Sequence, residues 1–391
     1  MKSSYLAFAN IILWSVLLLS LSLLIFHNPQ SRTVTLAYVQ ASTRFLQKVP
    51  LYESSGIHGF LYFPHFALFF TPFALLPPIP REILWRIFSL LIFVGAVRKL
   101  TTSFFPLHQD KIFFYFSLLI LFSALASIRN GQTNLALSGS LVLSFLACGE
   151  KNWLKAAFFF FLSLILKPIA LFPFVYATIF YPSFKKTAFW LFLLFVLFPF
   201  FFCLDHPLYI IEQYLLFMKR MTTVSQPNVA NFADIQGLFH LVHGELPFVL
   251  SLLIRSLAAI GIILLAFRLK RWSKSPLFFS MLLYSFSTAY LLLCNPRTEL
   301  NSYVFLGLAL SFFCLYFLFV EKQKTIGLFL LALQPFLGIE AFGKRWVEIG
   351  LWLKPLICLF SQILLSWQLF KDKEQSKPTL ESNPNSQSSL L

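Results

Sequence analysis

Polar side chains interrupt the apolar sequence at two places where they could take part in chemistry. The run SIRNGQTN carries Arg129, Gln132 and Asn134 between two apolar segments, and its glycine would let the chain turn sharply. Amide groups of this kind can hydrogen-bond across membrane helices, although a plain turn linking two helices would look similar. Lys167 lies inside FFFFLSLILKPIALFPF. A charge at membrane depth costs about 2.5–3.5 kcal/mol, so this lysine either has a partner, such as a lipid phosphate, or extends to the interface.

Carboxylates and further cations occur in three polar stretches, which are residues 27–59, 205–245 and 295–301. The first contains Glu53, the second Asp234, and the third, within NPRTELNSY, contains Arg297 and Glu299. A carboxylate could act as a general base, and Arg or Lys could bind a phosphate group. These roles require the stretches to meet; otherwise each side chain is simply part of a solvated loop.

The composition indicates an integral membrane protein. Of 391 residues, 58% are hydrophobic and only 12% are charged, and the mean hydropathy is +0.77. A soluble protein would have about 25% charged residues. These values exclude a water-soluble enzyme, a disordered protein and a disulfide scaffold. We therefore predict an all-α, polytopic transmembrane bundle.

Apolar segments long enough to enter a bilayer recur along the chain. Together they make 13 candidates, from which we predict 11 to 13 membrane segments. One piece between 60 and 181 should fall short of a full span, because counting every segment would put Arg98 and Lys99 outside. The segments are 5–26, 60–78, 82–98, 110–128, 133–148, 152–166, 168–181, 186–204, 246–268, 275–294, 302–320, 324–342 and 347–370.

The first polar stretch should contain a juxtamembrane helix. Between Thr35 and Leu46 the apolar positions Leu36, Val39, Thr43 and Leu46 fall near helical spacing, as in an amphipathic helix lying along a membrane. An ordinary solvated helix would show the same pattern. We predict one integral-membrane domain over residues 1–370 and a disordered polar cytoplasmic tail over residues 371–391.

The formal net charge of +16 comes from basic clusters in short loops between apolar runs. This distribution is typical of cytoplasmic loops and places both termini in the cytoplasm, with the three polar stretches outward. It does not indicate nucleic-acid binding, since no polar domain carries a basic stripe interleaved with aromatic residues. The five cysteines are scattered singly. His240 and His243 could supply two metal ligands, but polar capping of a helix is the simpler interpretation.

Four pieces of the sequence resemble glycosyltransferase family 87, a family of polytopic membrane glycosyltransferases. Their order and spacing along the chain, more than any single motif, carry the resemblance. They are AYVQASTRFLQKVPLYESS; the block GFLYFPHFALFFTPFALLP followed by Trp85; the long piece from RNGQTN to LILKP; and ANFADIQGLFHLV with NPRTELNSY.

The resemblance implies that a polyprenyl-phosphate sugar is the donor and that a hexose, with mannose as one candidate, moves to a lipid or glycan acceptor. It also implies the outer face of a bacterial cell membrane and no cofactor or metal. Arg129, Gln132, Asn134, Lys167, Arg297 and Tyr62 would then bind the donor phosphate or substrate.

The sequence departs from the family pattern at the residue expected to act as the general base. The family typically has an aspartate just before the aromatic helix of the first loop, where this chain has Val34 and Thr35. Glu53, Asp234 or Glu299 would have to substitute for it, or the protein is an inactive member. The competing interpretation is a secondary transporter or lipid flippase. Lys167 within an apolar segment favours it, whereas the absence of visibly related halves in the sequence argues against it.

Overall fold

The computed structural model of the protein describes residues 3–52, 59–225, 232–240, 244, 246–271, 273 and 275–375. All regular secondary structure within these residues is helical, so the predicted all-α class is confirmed. The α-helices are α1 (Ser3–His27), α2 (Thr35–Leu46), α3 (Pro64–Ala74), α4 (Pro78–Phe104), α5 (Gln109–Arg129), α6 (Asn134–Gly149), α7 (Trp153–Leu166), α8 (Leu171–Phe180), α9 (Lys185–Leu197), α10 (Pro207–Val224), α11 (Ile235–His240), α12 (Phe248–Lys270), α13 (Pro276–Cys294), α14 (Val304–Phe319), α15 (Lys324–Leu333) and α16 (Lys344–Gln375).

Eight helical stretches of the described chain are long and apolar enough to cross a membrane, and three shorter apolar helices accompany them. The polytopic prediction is therefore confirmed. The eight are Tyr5–His27, Pro106–Arg129, Pro182–Phe202, Phe248–Lys270, Pro276–Cys294, Leu300–Phe319, Lys324–Phe342 and Lys344–Lys371, and the three shorter ones are Asn134–Gly149, Trp153–Leu166 and Pro168–Phe180.

The predicted segment 60–78 contains only the 11 residues of α3 in α-helical form. At 1.5 Å per residue such a helix is about 16 Å long, roughly half the thickness of a hydrocarbon core. Its prolines explain the short length, because Pro64 starts the helix and Pro77 precedes the next one. This helix is too short to span a bilayer alone, and the three shorter apolar helices between 134 and 180 are also below the usual length of a span.

The centre of the bundle is formed by α6, α13 and α14. Every residue of α6 is buried, as are most residues of α13 and α14, whereas in α12 only Ser251, Ala266 and Leu269 are buried. Small residues such as Ser138, Gly139 and Ser140 allow α6 to approach its neighbours closely, which is how membrane helices pack without a hydrophobic driving force. Helix α12 lies at the edge, where lipid would surround it.

Helix α2 has the predicted bounds, and the protein covers a face other than its predicted apolar row. Tyr38, Ala41, Ser42 and Phe45 are buried, whereas Leu36 and Leu46 are exposed. The buried row includes the Ser42 hydroxyl and the Tyr38 phenol, which form hydrogen bonds with other parts of the protein. Counting apolar residues alone therefore does not identify this face. An exposed apolar row is what an interfacial helix presents to lipid.

Helix α16 continues through Lys371 to Gln375, so the first residues of the predicted tail are helical. The remainder, residues 376–391, lies outside the described residues.

The close approach of α6 to α4 can be tested at a glycine. A Cβ atom on Gly139 would stand 2.8 Å from the Cα of Phe93 and 2.9 Å from the carbonyl oxygen of Ile92. Both atoms belong to the backbone, so Gly139→Ala should destabilise the protein by about 1–3 kcal/mol. Gly95→Ala is the matched control, because no described atom lies within 4 Å of a Cβ there. Thermal unfolding in detergent should show a lower midpoint only for Gly139→Ala; equal midpoints would contradict the packing.

Candidate functional site

Direct contacts join the three polar stretches on one side of the bundle. Lys48 forms an ion pair with Asp205, and the backbone N–H of Leu51 donates to Gln213 Oε1 at 2.9 Å. The backbone N–H of Ala233 donates to the carbonyl of Thr298 at 2.7 Å. The first stretch therefore contacts the second, and the second contacts the third.

The turn between α5 and α6 has the sharp geometry that its glycine permits. Gly131 has a φ of +61°, a conformation that L-residues rarely adopt, and the N–H of Gln132 donates back to the carbonyl of Ser127 at 3.2 Å. Helix α6 then begins at Asn134. The turn thus presents Gln132 and Asn134, both buried, toward the third polar stretch.

Lys167 stands at a break between two short helices. Its backbone is extended (φ −163°, ψ 137°), and Pro168 starts a short 3-10 turn that leads into α8. Proline lacks an N–H and disfavours a helical residue before it, which explains the break. The break at Lys167-Pro168 confirms the predicted division into segments 152–166 and 168–181. It allows the lysine Nζ to donate to Asn134 Oδ1 at 2.8 Å.

Asn134 is the centre of a buried polar network. Its Oδ1 accepts from Lys167, and its Nδ2 donates to Gln132 Oε1 at 2.7 Å, to Asn301 Oδ1 at 2.9 Å and to Ser302 Oγ at 3.2 Å. Because an ammonium group can only donate, Lys167 requires the amide oxygen to face it and leaves the NH₂ group for the other side.

Glu299 completes this network. Its Oε2 accepts from Gln132 Nε2 at 2.6 Å and from Asn301 Nδ2 at 3.1 Å. The carboxylate also attracts Lys167 and Arg297 electrostatically. Two amide donors bind one of its oxygens, so the orientation of the carboxylate is set by the turn before α6 and by the turn before α14 (Leu300–Tyr303).

Arg297 contributes the second cation beside this carboxylate. Burial lowers its pKa, while Glu299 acts in the opposite direction. The guanidinium stands over the ring of Phe232 at 5.4 Å, and its buried Nη1 has no hydrogen-bond partner in the described part of the chain. A buried donor without a partner is costly, so this atom is a natural contact for an anionic group.

Tyrosine side chains line the neighbouring wall. The hydroxyls of Tyr38 and Tyr62 lie 2.8 Å apart, and Tyr52 donates to the carbonyl oxygen of Tyr62 at 2.7 Å. Burial raises the pKa of Tyr62 to about 12, and Glu299 adds to the effect. Tyr62 therefore stays protonated at neutral pH and can donate a hydrogen bond.

Asp234 lies close by but has a local structural role. Its Oδ1 accepts from the N–H groups of Gln236 at 3.0 Å and Gly237 at 3.3 Å at the start of α11, and Arg255 Nη2 lies 4.0 Å from Oδ2. Burial raises its pKa to about 6, although these contacts oppose the shift.

The remaining predicted groups are not part of this network. The side chain of Arg129 is exposed, and its backbone carbonyl accepts from Arg86 Nη2 at 2.7 Å. Glu53 and His243 lie outside the described residues. In the part of the chain that the structure describes, no group of three or more His, Cys, Asp or Glu could hold a metal ion.

Two charged residues of α4 escaped the sequence interpretation. Glu82 and Arg86 are 1% and 3% exposed and form an ion pair with a 2.7 Å contact. Both lie inside the predicted apolar segment 82–98, and neither is assigned a role from the sequence alone. The signal that could have found them is their i, i+4 spacing, which lets opposite charges pair on one helix face. Lys354 was also missed; buried within α16, it donates to the carbonyl of Leu300 at 3.0 Å and to Glu340 at 2.5 Å.

The helices and the site define an integral membrane protein that gathers two cations, one carboxylate and several amides at one end of its helical bundle. Comparison with protein-family models matches residues 60–296 to glycosyltransferase family 87. The chain belongs to this family, as its motifs indicated, and is therefore a glycosyltransferase by family. Curated protein sequences contain no match to it.

The raised pKa of Asp234 makes stability depend on pH. The folded protein retains a proton that the unfolded chain releases between about pH 4 and pH 6, so this group lowers stability as the pH rises through that window. The difference between about 6 and 3.8 corresponds to about 3 kcal/mol at pH 7. Asp234→Asn, which can still cap α11, should therefore raise the unfolding midpoint relative to wild type more at pH 7 than at pH 4.

Asp205→Asn is the control for this experiment, because its carboxylate is exposed and the hydrogen bond from Lys48 lowers its pKa. It should give no gain at pH 7. Parallel curves for Asp234→Asn and wild type would contradict the burial of this carboxylate.

Proposed function

We propose that this glycosyltransferase moves a hexose from a polyprenyl-phosphate donor to a lipid or glycan acceptor at the outer face of the bacterial cell membrane. The observation that carries the proposal is the position of Lys167 and Arg297 around Glu299. Both cations are half-buried, and Lys167 reaches the polar network from a break in a membrane-embedded helical segment. Mannose remains one candidate for the hexose.

The two cations suit the phosphate of a lipid donor. The phosphate that leaves carries negative charge, and preorganised cations stabilise such charge best where water is excluded. Lys167 is held by Asn134 Oδ1 at 2.8 Å, which leaves other ammonium protons to bind a phosphate oxygen. Arg297 brings a buried Nη1 that has no hydrogen-bond partner among the described residues. Arg129 has weaker support, since its side chain is exposed.

Glu299 is our preferred base among the three candidate carboxylates. In the proposed step the acceptor hydroxyl oxygen forms a bond to the anomeric carbon, and the bond from that carbon to the phosphate oxygen breaks. The hydroxyl proton passes to the carboxylate, and the polyprenyl phosphate leaves with the electron pair. Gln132 and Asn301 both bind Oε2 of Glu299, so neither amide occupies the other oxygen. Asp234 is less suited, because capping α11 occupies its Oδ1.

An apolar slot beside the site suits the tail of such a donor. A cavity of about 570 Å³ lies between α12, α13 and α16, and Gly261, Tyr290 and Trp367 are among its lining residues. Its lining includes Cys294, the last residue of α13. Arg297 follows three residues later, a distance of at most about 11 Å along the chain. A phosphate at Arg297 could therefore have its hydrocarbon chain in the slot.

The slot would orient the donor more than it would hold it. Moving an isoprenoid chain from lipid into an apolar slot exchanges one apolar environment for another, so little hydrophobic free energy is gained. Affinity must then come mainly from the phosphate and sugar. Substitutions at the two cations and substitutions in the slot should therefore have different kinetic effects.

The proposal is tested with purified protein in lipid nanodiscs and a panel of radiolabelled polyprenyl-phosphate hexoses. Glu299→Gln should lower kcat by about 10²- to 10⁴-fold with a small change in KM for the donor, the usual range for loss of a general base. Lys167→Ala should lower kcat and raise KM. Glu348→Gln and Lys186→Ala, which alter exposed residues, are the controls.

Full activity in both site variants would remove the assigned roles. Absence of transfer by wild type from every donor, together with ion-coupled uptake in vesicles, would favour a transporter instead.

The slot makes a separate prediction about donor length. Gly261→Phe should lower kcat/KM at least several-fold for a long-chain donor and little for a donor with two isoprene units, because only the long chain is oriented by the space that the phenyl ring fills. Leu257→Phe is the control, since Leu257 is exposed on α12 and does not line the slot. Equal effects of Gly261→Phe on both donors would contradict the placement of the tail.

A further inference from the structure

A second buried polar cluster joins α4 to the start of α2 and to the turn before α6. Its centre is the ion pair of Glu82 and Arg86, whose charged atoms lie 2.7 Å apart. Removing two charges from water is costly unless further hydrogen bonds satisfy them, and removing one partner of such a pair is strongly destabilising. The surrounding contacts show how this cost is offset.

Glu82 binds the beginning of α2. Its carboxylate accepts from Thr33 Oγ1 at 2.8 Å and from the hydroxyl of Thr35, the first residue of that helix. A negative charge beside a helix N-terminus is favourable, because the first N–H groups of the helix lack internal partners. The N–H of Val34, between the two threonines, donates to the carbonyl of Asn130 at 3.1 Å.

Arg86 binds the turn before α6. Its Nε donates to the carbonyl of Ile128 at 3.0 Å, and its Nη2 donates to the carbonyl of Arg129 at 2.7 Å. Trp85 Nε1 donates to the carbonyl of Gly131 at 2.7 Å. Three carbonyls of one turn are thus held by adjacent residues of α4, and a lysine could not reproduce the planar, forked geometry of the arginine.

We propose that the Glu82–Arg86 pair is a positioning device for the polar site. By binding the start of α2 and the turn at residues 128–131 together, it sets Tyr38 on one side and Gln132 and Asn134 on the other. Positions 34 and 35 carry no acidic residue, and the Glu82 carboxylate of α4 lies beside them. Glu82 is 1% exposed and already bound by an arginine and two hydroxyls, so it positions other groups and does not reach an acceptor.

The first experiment does not depend on activity. The variant Val34→Cys/Asn130→Cys places cysteines at two positions whose backbone groups already share a hydrogen bond. A disulfide needs Cα atoms about 4.4–6.8 Å apart, so the pair forms only while these positions stay close. The five native cysteines are buried, which favours oxidation of the new pair over theirs. Adding Glu82→Gln should slow disulfide formation in membranes at least tenfold. Adding Arg98→Lys, which alters a more exposed ion pair of the same helix, should not. Equal rates with and without Glu82→Gln would overturn the proposal.

The second experiment rests on the proposed function. Arg86→Lys should lower kcat by about 10- to 100-fold, as expected for a small misplacement of catalytic groups, while KM for the donor changes less than threefold. In the triple variant Val34→Cys/Asn130→Cys/Glu82→Gln, oxidising the two thiols to a disulfide should restore activity, and reducing the disulfide should lower it again. Failure of the disulfide to restore activity would overturn the positioning role.

The two experiments separate the possible failures. If Glu82→Gln does not fold, Arg86→Lys is used in the disulfide measurement and is expected to slow it; an unchanged rate would overturn the proposal. If wild type transfers no sugar from any donor, the proposed function fails, and the disulfide rates alone decide whether the pair positions α2 against the turn.

Discussion

The contact between Lys167 and Asn134 is the interaction on which the site depends. A cation within a membrane-embedded region needs an acceptor, and this lysine finds one in an amide oxygen 2.8 Å away. The contact requires the amide NH₂ to point toward Gln132, Asn301 and Ser302. Through Gln132 and Asn301 the same network reaches Glu299, so one charge at a helix break organises donors and a carboxylate from distant parts of the sequence.

The surrounding bundle provides what this network requires. Pro168 breaks the helix that would otherwise carry Lys167 past the site, and the positive φ of Gly131 turns the chain so that Asn134 faces the lysine. Small residues let α6 pack closely against its neighbours, so Gln132 and Asn134 of the network are buried. Helix α12 is mostly exposed and, with α13 and α16, lines an apolar slot that begins near Arg297. The proposed lipid donor would account for both features.

The sequence predicted the all-α membrane fold because apolar length is a strong signal in a chain with 12% charged residues. It also predicted the break at Lys167, since proline and a charge mark it locally. It did not predict which face of α2 packs inward, because Ser42 and Tyr38 are buried through partners that lie far away in the sequence. Glu82 and Arg86 have an i, i+4 spacing that indicates a pair, but the carbonyl groups of residues 128 and 129 that Arg86 binds cannot be read from a side-chain pattern.

The most direct test of the site is the binding of a lipid phosphate without turnover. Native mass spectrometry of the protein with undecaprenyl phosphate and, separately, undecaprenol compares two ligands that differ only in the phosphate group. We predict that wild type retains the phosphate but not the alcohol, and that a Lys167→Ala/Arg297→Ala variant loses this preference. Equal retention of both lipids by wild type, or an unchanged preference in the variant, would contradict a phosphate site at these two cations.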